Sequence, residues 1–145
     1  MKKNLFLLFF LLCSTSIIKV YSQISLTSYS IYAFGVNTNQ DKKLNFEFKV
    51  FGNRNINELF LEPTVFYNFK PKEYHKISLG LGANLDMSYN DLLSAVTIPF
   101  DVEIMPLQDF KRLSLIIELC PEIYIEDDPS LRCLWGVRYR FGERK

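Results

Sequence analysis

His75 is the only histidine of the 145-residue chain; it sits in the charged stretch KEYHK, with Ser78 three positions further on. A histidine, a serine and an acid are the minimum for nucleophilic acyl transfer, because the base must take the hydroxyl proton and the acid must orient the base. Positions three apart on an extended strand point to opposite faces. His75 and Ser78 therefore meet only if a turn or bulge changes the parity. The charged neighbours suit a solvated turn residue better than a buried base, and nothing else completes a triad.

The carboxylates Glu47, Glu62, Asp101, Glu103 and Glu118 raise a second chemistry. Two of them at the right separation would serve glycoside hydrolysis. However, they lie on the polar side of alternating stretches that also present Lys49, Arg132, Arg138 and Arg140. Mutual neutralisation is the simpler account. The acidic run EDDPS at 126–130 lacks the regular oxygen-ligand spacing of a calcium loop and reads as a solvated turn. One histidine and few cysteines argue against zinc, and no glycine-rich phosphate loop or base-stacking pattern occurs. The expectation is a non-enzymatic protein with no cofactor or metal.

The elements that position these charges begin after a distinct N-terminal segment. Lys2 and Lys3 precede the apolar run Leu5–Leu12, and a small-residue stretch leads to a cleavage point after Ser22. This pattern predicts a secretory signal over residues 1–22. The run is far shorter than the roughly 20 residues a membrane-spanning helix needs, and Leu12 is too bulky for a lipoprotein site at Cys13. The remaining residues 23–145 suffice for one domain. Without Lys2, Lys3 and Lys19 they hold 14 basic and 16 acidic side chains. That balance gives no reason to expect a nucleic-acid partner.

From Leu26 onward the pattern has period two. In 43–51, Leu44, Phe46, Phe48 and Val50 alternate with Lys43, Asn45, Glu47 and Lys49; in 77–87, aliphatic residues alternate with Ser78, Gly80, Gly82, Asn84 and Asp86. Similar stretches cover 26–36, 59–69, 92–104, 112–125 and 131–141, separated by short polar turns. Pro63 removes a ladder donor, which a bulge would accommodate. Seven strands are counted. A closed single-chain barrel of this kind usually has an even number, so either residues 23–36 hide a strand or a long stretch divides at its proline. The expected fold is all-β, an antiparallel up-and-down transmembrane β-barrel of eight strands. Cys120 and Cys133 fall on opposite faces, which disfavours a disulfide between them.

Alternation does not say which face is inside. The polar face mixes Gly80, Gly82 and Gly136 with charges of both signs, whereas most lysines lie in turns. Glycine in a strand centre is costly unless something must approach closely. Small residues beside mixed charges suit a narrow lumen, and strands near ten residues suit a tilted membrane crossing. Glu47, Lys49, Glu62, Asp101, Glu103, Glu118, Arg132, Arg138 and Arg140 are therefore expected to form a lumen charge cluster. Trp135, Tyr139 and Phe141 are expected to face lipid.

Gly136, Tyr139 and Phe141, within GVRYRF, carry a resemblance. Their spacing is similar to the C-terminal signature of outer-membrane β-barrel proteins, and the whole chain after Ser22 resembles the small outer-membrane β-barrels of the Bacteroidetes type. It departs from their pattern in that GERK follows Phe141 and Leu134 stands where a polar residue is common. The resemblance implies recognition of Gly136, Tyr139 and Phe141 by the barrel-insertion machinery. It also implies residence in the outer membrane of a Gram-negative bacterium, with outer-membrane lipid as a partner. The function expected is structural or surface-interaction work by a small barrel whose lumen is filled. The alternatives are a soluble exported barrel binding an apolar ligand, and an outer-membrane lipid-modifying enzyme.

Overall fold

Period-two alternation becomes nine strands in the computed structural model, which describes residues 24–38, 42–52, 59–70, 72–87, 93–107, 110–125 and 127–141. The expected signal segment, Cys13 and the GERK tail lie outside the described residues. In chain order the strands are β1 (Ile24–Tyr29), β2 (Ala33–Thr38), β3 (Leu44–Gly52), β4 (Leu59–Asn68), β5 (His75–Asp86), β6 (Leu93–Thr97), β7 (Phe100–Ile104), β8 (Leu113–Tyr124) and β9 (Ser130–Arg140). All pairings are antiparallel. β9 pairs with its hairpin neighbour β8 and also with β1, so the sheet closes on itself.

Nine strands make eight staves. β6 and β7 both lie between β5 and β8, and they keep one register against each. Gly82↔Thr97 and Leu79↔Phe100 belong to the same register with β5, as do Thr97↔Glu122 and Phe100↔Leu119 with β8. The break between them is Ile98–Pro99, where proline has no N–H to donate. The ladder continues around it: Gly80 N–H donates to the Pro99 carbonyl at 2.7 Å, and Ile98 N–H to the Pro121 carbonyl at 3.0 Å.

The eighth stave comes from the start of the chain. The stretch 26–36, counted as one strand, holds the second strand that one expectation placed within 23–36, and the chain turns through Ser30–Tyr32 with Ala33 N–H bonded to the Ile31 carbonyl. Ser30 is the one turn-forming residue there, beside Ile31 and Tyr32, so composition marks the turn only weakly. The bulge expected at Pro63 is also corrected. Pro63 pairs in register with Phe48, and β4 keeps one register with β5 on both sides of it. The register shift falls instead between Asn84 and Leu85, against β6.

Following paired residues once round the barrel measures its stagger. From Arg140 the path runs through Ser25, Asn37, Glu47, Thr64, Gly82, Thr97 and Glu122, and returns to β9 at Ser130. The return point is displaced by ten residues from the start. For eight staves this stagger implies a tilt of about 40° and a backbone radius of roughly 8 Å.

Such a radius leaves room for side chains and little else. The lumen is polar: Glu47, Lys49, Glu62 and Glu118 are fully buried, with Ser25, Thr27, Asn37, Thr64 and Thr97 around them. A few apolar groups fill the remaining interior, including Tyr29, Phe66, Ile116 and Leu134. The outer wall is apolar, with Leu81 61% and Trp135 64% exposed. Glycines make the lumen habitable. A Cβ on Gly80 would stand 2.8 Å from the Phe66 ring and from Pro99; one on Gly136 would stand 2.6 Å from the Ser28 carbonyl and 3.2 Å from the Tyr29 Cα. The Gly136 clash is with backbone, which cannot swing aside.

Replacing Gly136 by Val should therefore lower stability by about 1–3 kcal/mol, the usual range for overpacking. Equilibrium denaturation of the folded barrel checks it; Val137→Ala on the outward face is the control and should cost less.

Candidate functional site

The lumen charges form two connected groups. In the first, Arg138 from β9 crosses the interior. Its guanidinium donates to Glu47 on β3 at 3.1 and 3.2 Å, to Glu103 on β7 at 3.2 Å and, through Nε, to the Thr27 hydroxyl on β1 at 2.7 Å. Glu47 also accepts from the Tyr29 hydroxyl at 2.7 Å and from Asn37 at 3.1 Å. Glu103 pairs with Lys76 at 3.1 Å and accepts from Ser114 at 2.6 Å; Arg140 lies 4.0 Å from it.

The second group is built on Lys49 and Arg132. The Lys49 ammonium pairs with Glu62 on β4 at 3.0 Å and closely with Glu118 on β8. Arg132 reaches the same two acids, at 2.7 Å to Glu62 and 3.2 Å to Glu118, and adds Glu122 at 2.6 Å. Lys49 also lies 5.5 Å from the Tyr29 ring centroid and 5.6 Å from that of Phe66, and Arg132 lies 4.7 Å from Phe51. Glu62, Glu118 and Glu103 thus each meet more than one cation, and the aromatic faces cover charges that water would otherwise solvate.

All nine residues of the expected cluster face the interior. Eight join the pairs just described. Asp101 is the exception: it is buried opposite Ser78 and Glu118 in the ladders, and its Oδ1 has no hydrogen-bond partner. Two charged members of the network, Lys76 and Glu122, lie outside the expected cluster. Lys76 falls in what reads as a turn, yet it shares parity with Ser78 and Gly80 once β5 is extended to His75. Glu122 lies past Pro121 within the expected stretch 112–125, where the proline offers a point of division, but β8 continues in register through it.

The catalytic candidates do not converge. His75 opens β5 rather than sitting in the preceding turn and is half-buried, whereas Ser78 points inward and donates to Asn68 at 2.7 Å. Cys120 is buried and Cys133 exposed, and both are free thiols. Among the described residues no group of His, Cys, Asp and Glu has the arrangement of a metal site. Of the C-terminal triplet, Gly136 faces the Tyr29 ring inside, while Tyr139 and Phe141 lie outside with their rings edge to face at 5.1 Å. What this arrangement does chemically is fasten staves together by charge. No protein-family model, curated protein or solved structure matches the chain, so its function is argued from geometry.

Arg138→Leu would strand Glu47 in the lumen and leave Glu103 with Lys76 as its close cation. Breaking a buried pair from one side typically costs about 3–5 kcal/mol. The expected outcome is a loss in that range by denaturant titration, partly recovered when Glu47→Gln is added. A double-mutant cycle with no coupling between the two sites would show that the pair is idle.

Proposed function

We propose that this chain is a small integral outer-membrane β-barrel with a structural or surface-interaction role and no bulk transport. The observation that carries the reading is its reversed polarity. Paired charges fill the inside, and large aliphatic and aromatic side chains cover the outside. A soluble barrel would leave that wall in water, an apolar surface far larger than the few hundred square ångströms that monomeric proteins usually expose. In a bilayer the same wall is matched to its solvent, and the closed hydrogen-bond ladder leaves no unpaired edge in hydrocarbon.

Dimensions support the same reading. Strands of ten to twelve residues such as β4 and β5, tilted as the stagger implies, give an apolar wall on the order of 25 Å tall, the usual height of a membrane barrel. Outward aromatics lie toward both ends: Tyr32, Phe34 and Trp135 beside the β1–β2 turn, and Tyr67, Phe69, Tyr139 and Phe141 near the chain ends. That distribution suits interfacial girdles around an aliphatic belt. The Gly136, Tyr139 and Phe141 spacing, similar to the outer-membrane signature, adds the insertion machinery as an assembly partner. The charged, filled lumen speaks against an apolar ligand inside, and the divergence of His75 from Ser78 against a lipid-modifying enzyme.

Two measurements test this. The folded protein should fractionate with outer membranes and show a heat-modifiable gel shift; a monomer soluble without detergent would overturn the reading. Leu81, at the middle of the outward wall, is the more local probe. Leu81→Arg should cost about 2–4 kcal/mol if that face meets the bilayer midplane. A wet face would leave stability nearly unchanged.

A further inference from the structure

Among the described residues, the cations outside the lumen are placed at one end. These are Lys42, Lys43, Lys70, Lys72, Lys111 and Arg112, all in the β2–β3, β4–β5 and β7–β8 connections. Those connections lie at the end of the barrel where β1 begins and β9 finishes. Glu73, 3.3 Å from Lys111, is the one acid among the described residues there. The opposite end presents Asp127 and Asp128 and, among the described residues, no exposed Lys or Arg.

A second feature marks the same end. Phe110 and Tyr139 have ring centroids 6.4 Å apart, Tyr139 and Phe141 5.1 Å, and Tyr67 and Phe69 5.5 Å. The Lys111 ammonium lies 5.6 Å from the Tyr74 ring. Aromatic groups thus line the wall immediately inside a cationic rim.

We propose that this rim is a docking surface for anionic phospholipid headgroups, the phosphodiesters of phosphatidylglycerol-type lipids in the adjoining leaflet. The inference rests on the membrane reading above. Rings that are apolar on one side and polarisable at the edge settle at the headgroup level. Lysines just beyond them extend their ammonium groups into the phosphate layer, where basic side chains are drawn to anionic lipid. The choice of leaflet follows from how such a chain enters. Dragging Lys or Arg through hydrocarbon costs more than dragging Asp or Glu, so the end with the uncharged β1–β2 turn and the acidic β8–β9 turn crosses, and the cationic end stays on the side of entry, beside phospholipid.

The test is reconstitution of the chain into phosphatidylcholine vesicles with and without a minor fraction of phosphatidylglycerol, followed by mass spectrometry of the lipid retained after mild detergent release. The expected result is several-fold enrichment of phosphatidylglycerol over phosphatidylcholine. It should fall toward unity at high salt and in the variant Lys42→Gln/Lys43→Gln/Lys70→Gln/Lys72→Gln. That variant should keep its heat-modifiable shift, since none of the four residues faces the lumen. Insertion with equal retention of both lipids would overturn the proposal and leave the membrane reading standing, as would enrichment that survives loss of the four charges. Displacement of the lipid by polyaspartate at constant ionic strength would reassign the rim to an acidic protein. Failure to enter either bilayer would remove the membrane reading and this proposal with it.

Discussion

The guanidinium of Arg138 is the interaction on which the rest of this barrel depends. It ties β9 to β1, β3 and β7 at once, through Thr27, Glu47 and Glu103. Taking an ion out of water costs several kcal/mol even after relaxation. A buried arginine is therefore tolerable only where acceptors surround it. Glu47 and Glu103 supply charge, Thr27 supplies a neutral oxygen, and Tyr29, Asn37 and Ser114 hold the two carboxylates in place. Lys49 and Arg132 repeat the arrangement with Glu62 and Glu118. The interior coheres through direction-dependent bonds, where most proteins rely on apolar burial.

That choice constrains the backbone. Eight staves with this stagger enclose a space only one or two side chains across, so long charged groups need small neighbours. Gly35 lies beside Glu47 and Tyr29, Gly80 beside the Phe66 ring, and Gly82 between Thr64 and Thr97. Tyr29, whose ring packs on Gly136, also brings its hydroxyl to Glu47. The glycines and the ion pairs belong to one packing solution, in which Glu47 and Tyr29 lie against absent side chains at Gly35 and Gly136.

Much of this was legible in residue order and some was not. Parity along 43–51 and 131–141 is enough to place Glu47, Lys49, Arg138 and Arg140 on one face, because a strand has no other period. The glycines on that face hint that it is the crowded one. Closure is harder to read. The turn at Ser30–Tyr32 has Ser30 as its one turn-forming residue, so β1 and β2 look like one strand, and Pro99 interrupts a stave without ending it. Which acid meets which base is harder still. Arg138 reaches Glu47 rather than Glu62 because of the ten-residue stagger, a property of the whole closed sheet that no local pattern contains. Lys76 shows the same limit at a strand end, where a shift of one or two residues in the boundary decides whether a charge faces the lumen.

Closure by β9 also dictates an order of assembly. Arg138 and Thr27 are 111 residues apart in sequence, and Arg132 and Glu62 are 70 apart. Contacts of such separation form late, because chain entropy must be lost before they return anything. Until the last strand arrives, Glu47 lacks its cross-lumen cation and Glu62 and Glu118 lack one of theirs. An unclosed sheet would have to keep these acids wet. The final strand therefore brings both the missing hydrogen-bond edge and the neutralising charge. Sealing the wall and drying the interior become a single cooperative event, timed by the docking of β9.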